Sequence, residues 1–201
     1  MSSDFVRATP SLNVADVEDA CRTGIFPMAQ DRPKLVTWHR PQMRAVLPLD
    51  AFHVSRSLAR VLKLRRYEVT FDRAFAAVMD ACADRGEQTW ISAEFKAVYG
   101  QLHSRGKAHS VEVWNAGELA GGLYGVHLGG AFFAESKFHR RTNMSKVALA
   151  ELVFRLRERG FTLLEVQYRT PHLAQFGVVE IPDREYQRRL TAALALECTF
   201  T

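Results

Sequence analysis

The chain has 201 residues, 47% of them hydrophobic, with 13 Phe and three Trp. That is enough apolar material for one large domain and excludes a disordered chain. A formal net charge of +5 favours a polyanionic partner without naming one.

Residues 13–23 (NVADVEDACRT) are expected to form a short helix, capped by Asn13 and stopped by Gly24. The proline-rich segment GIFPMAQDRPKLVTWHRPQMRAVLP is read as loop alternating with short strands at 35–38 and 43–47. SRSLARVLK (55–63) has a helical pattern and YEVTF (67–71) alternates as a strand. Asp72 is expected to cap a helix running through Ala83. A further helix over 92–104 places Phe95, Val98, Tyr99 and Leu102 on one face.

HSVEVWN, GELAGGLYGVHLGG and AFFAESKF follow, separated by turn signals at Asn115-Ala116-Gly117 and Gly129-Gly130. They predict an antiparallel meander. Asn143 to Arg159 is amphipathic and ends at Gly160. FTLLEVQ (161–167) reads as a strand, PHLAQFG as a short helix or turn, VVEI as a strand, and Asp183 to Leu196 as the last helix. The order predicts a mixed α+β fold with a largely antiparallel central sheet flanked by helices, not a doubly wound nucleotide fold.

Cys21, Cys82 and Cys198 are scattered with no Cys-x-x-Cys, and no His pair has metal-ligand spacing on a helix. No metal or other cofactor is therefore expected. No apolar run approaches a membrane span, and MSSDFVRATPSLN lacks the apolar core of a signal peptide. A cytoplasmic protein without a membrane partner is the expectation.

Two polar features stand out within apolar strands. Simple alternation puts Phe133, Glu135 and Lys137 on one face of AFFAESKF. Glu135 is then either half of a solvated Glu–Lys pair or a carboxylate at a cavity mouth. Glu165 and Gln167 share one face of FTLLEVQ. There an inward acid can orient an amide, and an outward pair is simply solvated. Basic residues gather at Arg56, Arg60, Lys63, Arg65 and Arg66, at His139, Arg140, Arg141 and Lys146, and at Arg184, Arg188 and Arg189. Such stripes are either solvated faces or sites for a phosphate backbone. The phosphate-binding and nucleophile-elbow motifs G-x-x-x-x-G-K-[ST], G-x-G-x-x-G and G-x-S-x-G are absent.

GIFPM (24–28), W-x-x-P-x-x-R-A-V-L (38–47), HVSRSL (53–58), TWI (89–91) and YGQLHSRGKAHSVEVW (99–114) come in order. GGLYGVHLGGAFFAESKF (121–138), NMSKVAL (143–149), LLEVQ (163–167) and TPHL (170–173) through EIP (180–182) follow. In these stretches the chain resembles the leucyl/phenylalanyl-tRNA–protein transferase family. The resemblance implies a GNAT-like acyltransferase domain over 61–201, with a small N-terminal α/β region over 1–60. It also implies transfer of an amino acid from aminoacyl-tRNA to the N-terminal amine of a protein beginning with Arg or Lys, which makes a degradation signal. By the same resemblance Glu165 and Gln167 match the catalytic acid and amide, the acid polarising the amide, and Glu135 matches an acid that places substrates. Trp114, Leu123, Phe132, Lys137, Leu149 and Leu164 match the walls of the donor side-chain pocket. Trp38 and His39 match a Trp-Trp pair whose second member stacks on the terminal adenosine. Asn143, Lys146, Arg140, Arg141, Arg56 and Arg60 match the region facing tRNA.

The chain departs from the family pattern at several positions. SLNVADVEDA stands where the family has G-G-D-L, Glu165 replaces Asp, and His39 replaces Trp. Lys137 replaces the Met of E-S-M-F. A cation in a leucine pocket is costly unless paired, so either Lys137 points outward or the pocket takes a different donor. The default reading is a Leu or Phe donor and a protein acceptor. The alternatives are a changed donor or a small-molecule amine acceptor, a GNAT-type acyl-CoA N-acyltransferase, and a non-catalytic tRNA-binding module.

Overall fold

A computed structural model describes residues 4–31, 34–84 and 89–201. The elements in chain order are β1 (Phe5–Thr9), α1 (Val14–Thr23), β2 (Phe26–Asp31), β3 (Lys34–His39), β4 (Met43–Val46), α2 (Arg56–Leu64), β5 (Glu68–Phe71), α3 (Phe75–Ala83) and α4 (Ala93–Ser104). They continue with β6 (Ala108–Asn115), β7 (Glu118–Leu128), β8 (Ala131–His139), α5 (Met144–Glu158), β9 (Leu163–Glu165), α6 (Pro171–Ala174), β10 (Val179–Pro182) and α7 (Asp183–Leu194).

β6 to β8 form the expected antiparallel meander, and β5 pairs with β6 at the end of a seven-stranded sheet of order β10-β4-β9-β8-β7-β6-β5. β9 returns through α5 to lie parallel to β8. A strand feeding a helix back to a parallel neighbour needs such a crossover. The central strand β7 (ELAGGLYGVHL) is buried along nearly its whole length, because both of its faces are covered. One face of the sheet packs on α1, α3, α4 and α7 through Val17, Val78, Phe95, Tyr99, Tyr186 and Leu190. The other packs on α2, α5 and α6 through Leu58, Val147, Leu152 and Leu173. The architecture is mixed α+β in three layers, as the element order predicts.

Several local expectations hold for stated reasons. Asn13 accepts from the Asp16 amide and caps α1, and Gly24 ends it at φ +72, a left-handed position that glycine adopts freely. Others fail. Asp72 does not cap α3: it sits at φ +60 and its carboxylate binds the Ser110 amide at 2.9 Å and the His109 ring at 2.7 Å. The GIFPM segment, read as loop, opens β2, which pairs with β3 beside β1 in a separate three-stranded sheet. A boundary at residue 60 does not follow the sheets, since β4 lies inside the main sheet between β10 and β9. The strand expected over 161–167 is three residues long.

Candidate active site

The short β9 is the first step in building the site. The Tyr168 amide donates to the Val166 carbonyl at 2.8 Å across Gln167, which sits at φ +62. That is a three-residue turn with a left-handed centre, a strained conformation for any residue with a Cβ. It takes the chain out of the sheet and turns the Gln167 side chain towards β8.

The second step is on β8. Tyr124 pairs with Ser136 and Gly125 with Ala134, so Glu135 is the extra residue of a β-bulge. The bulge re-aims Glu135 and reverses the alternation beyond it. Phe133 and Phe138 pack in the core under α3 and α4, while Lys137 lies opposite Leu123, on the α5 side. Glu135 and Lys137 therefore do not share a face, contrary to simple alternation.

The two irregularities bring Glu135 and Gln167 together. Gln167 Nε2 donates to one Glu135 oxygen at 2.9 Å, and Tyr99 Oη donates to the other at 2.8 Å. Burial raises the Glu135 carboxyl to about 7; the Tyr99 and Gln167 hydrogen bonds pull it down and the Glu165 charge pushes it up.

Glu165 has a different environment. It is 3% exposed, accepts from Tyr186 Oη at 2.6 Å, and is ion-paired with the fully buried Arg44. Arg44 also donates to the Gly24 carbonyl, lies 3.6 Å from Asp183, and has its guanidinium 4.0 Å above the Tyr186 ring. Burial opposes the Arg44 charge, but Glu165, Tyr186 and Asp183 outweigh it and hold its pKa up. The resemblance assigns Glu165 to polarising Gln167; in the structure the Gln167 amide is bonded to Glu135 and the Glu165 oxygens go to Arg44 and Tyr186.

Glu135 and Gln167 open onto a cleft of about 510 Å³, whose walls include Trp90, Lys137, His139, Tyr168 and His172. Beside it lies a smaller cavity of about 90 Å³, lined by Leu123, Ala134, Lys137, Leu149, Val166 and Leu173, with Glu135 and Ser136 at the junction. Leu123, Lys137 and Leu149 thus stand where a side-chain pocket is expected. Phe132 and Leu164 are core residues on paired strands, with Phe132 stacked on Phe200. Trp114 stands at the end of β6, where its indole N–H donates to Thr70 at 2.7 Å, and the structure does not bring it to the cavity.

Trp38 is fully buried with its indole N–H on Thr9, so its ring offers no face to a ligand. His39 is half-buried, stacked on Phe26, with Phe5 at its edge. Phe26 meets Tyr168 edge-on, so this aromatic row reaches the cleft. Burial keeps His39 below the usual imidazole range, offset in part by Asp4. Asn143 begins α5 at φ +71, and Lys146 donates to Gln175 at 3.2 Å. Arg140 lies exposed over the Phe138 ring and Arg141 pairs with Glu118 at 3.5 Å. Arg56 and Arg60 are exposed on α2, which packs on α5. Burial lowers the His172 pKa, with help from Lys137, Lys146 and His139.

The matched family model spans residues 46–191 and is described as leucyl/phenylalanyl-tRNA protein transferase. The chain belongs to this family. A leucyl/phenylalanyl-tRNA–protein transferase of Rubrobacter xylanophilus is 55% identical over 196 residues, covering 97% of this chain and all of the relative. The one of Salinibacter ruber is 54% identical, over 87% of this chain and 77% of the relative. The one of Ruegeria pomeroyi is 57% identical, over 85% and 81%. Among solved structures, L-PGS from Bacillus licheniformis has a TM-score of 0.45 and 12% identity, over 92% of this chain and 64% of that one. Among the described residues no helix is long and apolar enough to cross a membrane, and no cluster of His, Cys, Asp and Glu has metal-site geometry.

Arg44, Tyr99, Tyr186 and Trp90 are site residues that strand and helix periodicity did not single out. Each reads as ordinary core in the sequence; Arg44, Trp90 and Tyr99 fall inside the matched stretches 38–47, 89–91 and 99–114, and Tyr186 falls in none. The strain at Gln167 has a measurable consequence. Gln167→Gly and Gln167→Ala lose the same amide, but only glycine relieves the left-handed φ. Gln167→Gly is expected to be more stable than Gln167→Ala by about 1 kcal/mol in urea unfolding; equal stability removes the strain.

Proposed function

We propose that the protein moves an aminoacyl group from tRNA to the N-terminal α-amine of a protein, with Leu or Phe as donor and an N-terminal Arg or Lys as acceptor. The observation that supports this most is the placement of a small apolar cavity next to the Glu135–Gln167 pair. A donor side chain held by Leu123 and Leu149 sets its ester carbonyl beside that pair. An aminoacyl ester is already activated, so the protein supplies proximity, orientation and a place for a proton. Glu135 and Gln167 form the catalytic pair in this reading, with Glu165 behind them, and Leu123, Lys137 and Leu149 form the donor pocket. His39, Asn143, Lys146, Arg140, Arg141, Arg56 and Arg60 face the tRNA. Incubation with mixed charged tRNAs and a peptide beginning with Arg tests it. RNase-sensitive transfer of Leu or Phe is the expected result, and transfer from no charged tRNA sinks the reading.

Lys137 favours a second reading of the donor alone. It lines the cavity among leucines, so an apolar donor side chain packs beside a cationic one. Lys137→Met is expected to raise kcat/KM for Leu and Phe donors by roughly five- to tenfold, about 1–1.4 kcal/mol. A fall with those donors, together with transfer of another amino acid by the unaltered protein, assigns the pocket to that other donor.

A further inference from the structure

We propose that Glu135 is the group that takes the proton from the attacking amine, and that Glu165 is a positioning residue that does not touch the reacting atoms. This rests on the transferase reading above. Glu165 is 3% exposed and its two oxygens are committed to Arg44 and Tyr186. Glu135 lines both the cleft and the side cavity. Its two protein partners, Tyr99 and Gln167, both donate to it. An ionised carboxylate only accepts, so Gln167 presents Nε2 to Glu135 and keeps Oε1 as an acceptor for the incoming amine. A bulge and a left-handed turn converge on this pair, and strained backbone of that kind gathers at reacting centres.

The step balances without another reactant. The amine nitrogen attacks the ester carbonyl carbon and the C–N bond forms. One of its protons passes to Glu135. The C–O bond to the ribose then breaks, and the departing ribose oxygen takes that proton from Glu135. The carboxylate is restored and no proton is gained or lost overall.

The groups around Glu135 support the assignment. Cys21 on α1 is held as a thiol, chiefly by burial and then by the two nearby glutamates. Tyr99 on α4 is held as a phenol in the same way, and Tyr124 on β7 packs edge-on against it. Glu165 is ion-paired with Arg44, Tyr168 is raised by burial, and Lys137, His139 and His172 line the same cleft. A carboxyl at about 7 in this setting is matched to proton transfer at neutral pH.

The pH dependence of kcat/KM for peptide acceptor, with leucyl-tRNA and phenylalanyl-tRNA as donors, tests this. The rate is expected to rise with pH through about 7, apart from the acceptor amine's own limb near 8. Glu135→Gln is expected to lose about 10²–10⁴-fold and the lower limb with it, while Glu135→Asp keeps the limb. Tyr99→Phe removes a donor to the carboxylate and moves the limb up by about half a pH unit or more. Glu165→Gln removes a nearby negative charge and moves it down. If Glu165→Gln does not fold, Tyr99→Phe and Glu135→Asp carry the test. Glu135→Gln with an intact rate and limb, or Tyr99→Phe with an unmoved limb, overturns the assignment. Either result leaves the transferase reading standing, because the unaltered protein still transfers.

Discussion

Arg44→Met is expected to lower unfolding stability by about 3–5 kcal/mol, read in urea or guanidinium titration. Arg44 is fully buried and Glu165 is 3% exposed, so removing the guanidinium leaves a carboxylate in the core with only the Tyr186 hydroxyl to answer it. The size comes from the charge left behind, since a well-packed apolar replacement of a whole buried pair is often nearly neutral. The double variant Arg44→Met/Glu165→Gln is therefore expected to recover most of the loss, a coupling of about 2 kcal/mol or more. Additive losses would show that the two residues act independently. The cluster joins four separate stretches of chain: Gly24 after α1, Arg44 on β4, Glu165 on β9, and Asp183 and Tyr186 on α7. Its loss is expected to loosen the N-terminal segment from the main sheet, with faster proteolysis between Gly24 and Arg44.

That cluster also marks where the sequence stops being readable. The meander, the α5 helix and the cap at Asn13 follow from local pattern, because periodicity and capping are short-range signals. Arg44 reads as one residue of a short strand, and nothing near it in sequence names Glu165 as its partner 121 positions away. Period-two alternation cannot show a bulge, so it puts Lys137 beside Glu135 when one extra residue moves it to the other face. Gln167 carries no preference for positive φ, and the left-handed turn there is imposed by tertiary packing. The family resemblance points to Glu135, Glu165 and Gln167 and gives the amide to Glu165, whereas in the structure Gln167 is bonded to Glu135. That distinction depends on two departures from regular strand geometry, and coordinates are needed to see it.

Gly125→Ala is expected to lower transfer by about 100-fold or more while leaving a folded protein. Gly125 faces the bulge, paired with Ala134, the residue before Glu135. A methyl group there overlaps the Phe133 carbonyl oxygen and the Phe132 ring edge, and lies 2.9 Å from Phe132 Cζ. The ring can turn, but the carbonyl is backbone of the bulged strand and moves only if β8 moves. Overpacking of this kind costs about 1–3 kcal/mol. The displacement falls on the residues next to Glu135, and a misplacement of about 1 Å at a reacting group costs on the order of 10² in rate. Gly100→Ala is the matching control: nothing lies within 4 Å of its added methyl, and it sits inside α4. It is expected to gain about 0.5–1 kcal/mol from helix propensity and keep its rate. A Gly125→Ala protein with the unaltered rate and pH profile would mean that the bulge does not set the position of Glu135. The two irregularities at β8 and Gln167 would then be incidental to the chemistry.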